Sequence, residues 1–256
     1  MITITSTFTS DPIAEPLKLF LKLINEVPEV KISPYRQIFQ QLLDPDSLFR
    51  QNQDTNIILI RFEDWLPFKS GEDKELFTVS HTKKIAADFL STLQAKAGEL
   101  QGNLIIGICQ SSPVIYENPF LKETFKELEI AFNQLVSQLI GVYLITYDEI
   151  NTYYPISDYH NSYADKLGHI PYTEDYFCVL AAMLTRKIHA IKRAANKVIV
   201  LDCDNTLWDG VCGEEENVTN LKITAVQQAL QRFVIQQQQI GNLFVYVVKI
   251  KNQMFG

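Results

Sequence analysis

The sequence has no run of eighteen apolar residues, the length a helix needs to cross a bilayer, so no membrane span is expected. Cysteine is scarce: four in 256 residues (Cys109, Cys178, Cys203 and Cys212), none at two-residue metal spacing. That usage fits a reducing compartment rather than a disulfide framework or a thiolate cluster. Basic charge is in deficit, with 23 Lys and Arg against 30 Asp and Glu and a net charge of −7. Such a balance argues against nucleic acid or an anionic membrane as the main partner. Met1-Ile2-Thr3-Ile4-Thr5 has neither a basic region nor a helix-length apolar stretch, so no secretory leader is read there and a cytoplasmic location is expected. What is present is ordinary globular material, 46% hydrophobic and 21% charged, enough for a sizeable core.

Short apolar runs alternate with helix-period segments, which predicts an α/β fold with a mainly parallel sheet. Strands are expected at Ile2–Phe8, Val30–Ile32, Asn56–Arg61, Leu104–Ile108 and Val142–Thr146. Helices are expected at Leu17–Ile24, Tyr35–Leu43, around Ile85–Ala97 and at Pro119–Leu139. The last of these carries Leu121, Phe125, Leu128, Phe132, Leu135 and Leu139 at three- and four-residue spacing, a core face. These units make one doubly wound domain. Asp148–Thr173, rich in tyrosine, reads as a long polar-aromatic loop, uncommon in a compact domain unless functional. A helix from Asp175 to about Ala194 leads into a new strand, which puts a domain boundary near Ala195 and gives domains of residues 1–195 and 196–256. The second holds only two strands and one helix, too little to bury much surface, and is read as incomplete.

The chemistry is concentrated in Val198-Ile199-Val200-Leu201-Asp202-Cys203-Asp204-Asn205-Thr206-Leu207-Trp208. A hydrophobic strand delivers Asp202 and Asp204 at its C-terminal end, where open α/β sheets bind ligands. Two carboxylates there suit metal-assisted phosphoryl transfer: one as nucleophile, the other as general acid and base. A hard cation such as Mg²⁺ takes oxygen ligands of this kind, and the Thr206 hydroxyl with the backbone around Asn205 would hold phosphate oxygens. A plain acidic turn after a strand is the simpler alternative.

Asp202-Cys203-Asp204-Asn205-Thr206 resembles the first motif of haloacid-dehalogenase-type phosphatases, and the longer Leu201–Glu214 stretch is similar to the FkbH-like subgroup. Ser6-Thr7-Phe8-Thr9, Pro34–Pro45, Arg61–Trp65 and Leu167-Gly168-His169-Ile170-Pro171-Tyr172-Thr173 extend that resemblance over nearly the whole chain. It implies a flavodoxin-like, SGNH-hydrolase-like N-terminal domain (1–195) followed by a partial phosphatase-like Rossmannoid domain (196–256). It also implies an activity: dephosphorylating a phosphorylated three-carbon acid and loading the glyceryl unit onto an acyl carrier protein in polyketide or non-ribosomal peptide assembly. By matching position, Asp202 would be nucleophile and Mg²⁺ ligand, Asp204 general acid/base with its backbone carbonyl on the metal, and Thr206 a phosphate-orienting group.

The sequence departs from that family at two places: Val248 stands where its second-motif Ser or Thr is expected, and Glu214-Glu215-Glu216 replaces Glu-Asp-Gly. The family's phosphate-binding lysine and outer acidic pair would fall beyond residue 256, so the chain as it stands is expected to be truncated and to turn over little phosphate. Other candidates are Ser6 with His169, as an SGNH-type esterase pair, with a docking or substrate-positioning loop as the alternative, and Cys212 as an acyl acceptor, with a small buried apolar residue as the alternative. A non-catalytic module that docks a carrier protein or another partner is the reading from a different class.

Overall fold

A computed structural model describes residues 1–67, 74–193, 198–211, 222–239 and 243–247. The chain divides into two compact units, Met1–Lys192 and Arg193–Gly256.

In the first unit the elements run β1 (Ile2–Ser6), α1 (Ala14–Leu23), β2 (Val30–Ile32), α2 (Ile38–Leu43), α3 (Leu48–Gln51), β3 (Thr55–Ile60), α4 (Lys74–Lys96) and β4 (Asn103–Ile108). They continue with α5 (Pro113–Glu117), α6 (Pro119–Val136), β5 (Val142–Ile145), α7 (Tyr147–Tyr153), α8 (Ser162–Gly168) and α9 (Glu174–Lys192). The strands form one five-stranded sheet in the order β2-β1-β3-β4-β5, every pairing parallel. The α/β architecture expected from the alternating pattern is therefore the one observed.

A parallel sheet covered on both faces needs strands that are apolar throughout, because successive side chains enter opposite layers. β3 does this: Ile57 and Leu59 enter the core beneath α1 and α9, while Ile58 and Ile60 enter the core beneath α2, α4 and α6. The second core is aromatic. Phe132 is fully buried, its ring stacked on Phe89 at 5.7 Å and tilted against Phe62 at 5.4 Å.

Two expectations differ from the structure. The segment read as one long loop, 148–173, contains α7 and α8. Each is started by a single side chain, Thr146 accepting from the Glu149 N–H and Asn161 accepting from the Ala164 N–H. The helix expected from Tyr35 begins only at Ile38, because Arg36 takes a left-handed conformation (φ +64°) and its N–H donates to the Ser6 carbonyl.

β3 and β4 approach closely where they begin. A Cβ on Gly102 would stand 2.5 Å from the Asp54 carbonyl oxygen, which already accepts from the Asn103 N–H at 2.8 Å. Gly102→Ala is accordingly expected to destabilise the first unit by about 1–3 kcal/mol, read as a lowered urea midpoint.

On α6, burial and then the charge of Asp148 push the Glu129 carboxyl up to about 7 from 4.5, against a hydrogen bond from Thr146. The folded state thus holds this proton more tightly than the unfolded one. The corresponding stability is present below about pH 4.5 and is lost as pH rises through about 7. Glu129→Gln is expected to flatten the stability profile between about pH 5 and 8; an unchanged profile would assign that slope to other groups.

The second unit pairs β6 (Val198–Asp202) with β7 (Leu243–Val247) in parallel, from Val198↔Leu243 to Asp202↔Val247. Between them in sequence lies α10 (Ala225–Gln239). Its start is a capping box: Thr224 Oγ1 accepts from the Gln227 N–H, and Gln227 Oε1 accepts from the Thr224 N–H. Cys212, Glu214–Glu216 and Val248 lie outside the described residues. No helix among the described residues is long and apolar enough to cross a membrane.

Candidate active site

β6 ends on Asp202, whose side chain is exposed, while Asp204, two residues on, is buried. The strand's alternation stops between them. Cys203 N–H still donates to the Val247 carbonyl at 3.0 Å, the last ladder bond among the described residues, and the chain then turns. Thr206 and Leu207 N–H both donate to the Cys203 carbonyl, at 3.2 and 2.9 Å. Asn205 takes the left-handed conformation (φ +58°), its side-chain oxygen accepting from the Gly210 N–H and its own N–H donating to the Gly210 carbonyl. Asparagine tolerates that geometry better than other side-chain-bearing residues.

A second layer of contacts, which the sequence reading did not find, fastens this loop to α10. Gln227 Nε2 donates to Asp209 Oδ1 at 2.8 Å and Gln231 Nε2 to the Leu207 carbonyl at 2.7 Å. The four-residue spacing of Gln227 and Gln231 was visible in the sequence; their partners were not. The Asn205, Thr206 and Leu207 N–H groups are engaged within the loop, which leaves the Thr206 hydroxyl and the Asn205 side-chain amide as the donors of the Asn205-Thr206 pair.

As a metal site the loop offers hard oxygen donors. No group of three His, Cys, Asp or Glu residues is arranged to hold a metal among the described residues. Mg²⁺ is commonly held by one or two carboxylates, with water and substrate phosphate completing its shell, and the Asp202–Asp204 pair fits that donor set.

The first unit has its own cluster at the C-terminal ends of β1 and β3, between which the strand order reverses; open α/β sheets bind ligands at such points. Arg61, directly after β3, is buried. Its Nε donates to Asp64 Oδ1 at 2.8 Å, and its terminal nitrogens reach Asp165 Oδ2 and Oδ1 at 2.6 and 3.1 Å. Thr7, directly after β1, donates to Asp64 Oδ2 at 2.6 Å and accepts from the Arg61 N–H. His169 lies between the two acids, Nε2 3.4 Å from Asp64 and Nδ1 3.5 Å from Asp165; Nε2 is buried without an aligned hydrogen bond. Burial pushes the Asp165 carboxyl up, but the Arg61 hydrogen bonds and charge outweigh it and hold the group below its ordinary range. His160 is mostly buried and stands 3.3 Å from Asp165.

Ser6 and His169 are not joined as a nucleophile and base. Ser6 is fully buried, and its hydroxyl donates to the Phe8 carbonyl at 2.6 Å and lies 2.8 Å from Ser10 Oγ. The strand's period of two turns Ser6 into the core, and the hydroxyl beside Asp64 belongs to Thr7.

No family model matches the chain, and no curated protein does. Among solved structures, the N-terminal part of protein BF1531 from Bacteroides fragilis, containing a phosphatase domain and complexed with Mg, superposes with a TM-score of 0.70. The match covers 98% of this chain and 69% of that one at 18% identity. BT4096, a gut microbial diltiazem-metabolizing enzyme, matches with a TM-score of 0.50 over 80% of this chain at 13% identity, and the match spans 50% of that protein's length. At these identities the likeness is one of fold.

Proposed function

We propose that the Asp202–Thr206 loop is the phosphoryl-accepting site of a Mg²⁺-dependent, haloacid-dehalogenase-type enzyme. Within that class the FkbH-like reading is favoured: removal of phosphate from a phosphorylated three-carbon acid and delivery of the glyceryl unit to an acyl carrier protein. The observation that carries it is the pair of aspartates at the C-terminal end of a parallel strand, one carboxylate exposed and one buried, in a loop closed by Asn205 and Gly210. The BF1531 fragment, which shares the fold, is described as containing a phosphatase domain complexed with Mg.

In this reading the exposed Asp202 carboxylate attacks phosphorus and the phosphorus–oxygen ester bond breaks. Asp204 gives its proton to the leaving oxygen and later takes one from the water that hydrolyses the aspartyl phosphate. The Thr206 hydroxyl orients the phosphoryl oxygens, and the Gln227 and Gln231 contacts hold the loop in register. A bound Mg²⁺ would neutralise charge on the phosphoryl group, with Asp202 and the Asp204 backbone carbonyl as its protein ligands.

The test uses beryllium fluoride, which bonds to an ionised aspartate as a phosphoryl mimic. The chain is expected to gain thermal stability with Mg²⁺ and beryllium fluoride together, and Asp202→Asn to lose that gain. Stabilisation of equal size in Asp202→Asn, or none in the parent chain, would refute the assignment.

A further inference from the structure

We propose that the cleft at the β1–β3 switch point of the first unit is a second binding site, for a small organic anion bearing carboxylate or phosphate groups. The cleft has a volume of about 440 Å³ and is lined by Arg36, Arg61, Glu63, Asp64, Asp165, Lys166 and His169, with Leu66 and Pro67 as its apolar wall.

Its acids are already satisfied. Asp64 takes Arg61 on one oxygen and Thr7 on the other; Asp165 takes Arg61 on both and His160 on one; Glu63 accepts from the Ser112 N–H and hydroxyl, each at 2.7 Å. Arg61 is consumed by the same contacts. The charged side chains of the lining that make no ion pair among the described residues are Arg36 and Lys166, both exposed and both cationic. The lining thus carries as many cations (Arg36, Arg61 and Lys166) as carboxylates (Glu63, Asp64 and Asp165), and the charged side chains outside its ion pairs are both positive although the chain as a whole is negative.

Backbone strain points to the same place. Among the described residues, four that are not glycine have positive φ: Asn25, Arg36, His169 and Asn205. Asparagine and histidine visit that region more readily than most residues, His169 here as the left-handed cap that ends α8; arginine does so at a cost, and Arg36 and His169 both line this cleft. Each is pinned to the end of β1: Arg36 N–H donates to the Ser6 carbonyl at 2.8 Å, and the Thr9 N–H donates to the His169 carbonyl at 2.8 Å. Strain that the surroundings over-determine gathers at ligand sites, where it sets side chains in position before the ligand arrives. Here it fixes the backbone from which Arg36 and His169 line one cleft.

The experiment titrates inorganic phosphate and malonate, separately and at constant ionic strength, into the Asp202→Asn chain without Mg²⁺, by calorimetry. That background removes the second-unit site, so failure here is distinct from failure of the phosphoryl-transfer reading. Saturable millimolar binding of at least one anion is expected, weakened about tenfold by Lys166→Gln and about tenfold by Arg36→Gly. Binding of phosphate alone assigns a phosphorylated ligand, and binding of malonate alone a carboxylic acid. Arg36→Gly is also expected to hold or raise the melting temperature, since glycine adopts positive φ freely, which separates lost binding from lost folding. No saturable binding of either anion, or affinities unchanged in both variants, overturns the proposal.

Discussion

Replacing Arg61 by methionine is expected to lower the stability of the first unit by about 3–5 kcal/mol at neutral pH. The side chain is 3% exposed and pairs with Asp64, itself 2% exposed, and with Asp165. Methionine fills much of the same volume, so the loss comes from two carboxylates left buried without their cation rather than from a cavity. The pH dependence identifies that cause. With Arg61 present, the Asp165 carboxyl is held below its ordinary range, and its stabilisation exists above the unfolded value of about 3.9 and is lost as pH falls. Without Arg61, burial still pushes Asp165 up, opposed only by the His160 hydrogen bond and the His169 charge, so its stabilisation is lost and the deficit grows as pH rises from about 4 to 7. Urea unfolding followed by Trp65 fluorescence, in a Trp208→Phe background, reads it. An equal deficit at about pH 4.5 and pH 7 would mean that packing and not charge is responsible.

Phe132→Ala is expected to destabilise the same unit by about 3–5 kcal/mol. The ring is fully buried and is surrounded by Phe62, Trp65 and Phe89, at centroid distances of 5.4, 6.3 and 5.7 Å. Rings locked at these angles collapse poorly into a void, which places the site toward the costly end of large-to-small replacements. Phe132→Leu, which keeps most of the volume, should lose about 1–2 kcal/mol. The two variants compared by denaturant midpoint separate cavity formation from the loss of the aromatic face. Trp65 emission should shift in Phe132→Ala even before unfolding, because its ring borders the space created.

The strands were readable because parallel strands buried on both faces are continuous apolar runs, and Asn56–Ile60 or Leu104–Ile108 resemble little else. Asp202 and Asp204 were readable for a related reason: a polar pair directly after such a run marks the strand's functional end. Features set by one side chain were harder. α7 and α8 depend on Thr146 and Asn161 as caps, and within a tyrosine-rich segment those residues look like any loop residues. The Arg61-Phe62-Glu63-Asp64-Trp65 segment and His169, four residues after Asp165, each stood out in the sequence. Their meeting did not, since Arg61 and Asp165 are 104 residues apart in the chain. Ser6 shows the reverse problem: it stands at the right strand end, but period-two alternation directs it inward and leaves Thr7 beside the acids.

The place of β1 in the sheet also governs how the chain folds as it is made. β1 is synthesised before β3, yet β3 is its long partner, with Ile2 opposite Thr55 and Ser6 opposite Leu59. Until β3 has followed it out of the ribosome, β1 can pair only with the three residues of β2. A strand that ends fully buried must therefore wait, without its long partner, for a neighbour that arrives late. Non-local closure of this kind makes refolding slow. It also places the interval of greatest exposure to aggregation or chaperone capture between the synthesis of the first strand and that of the third.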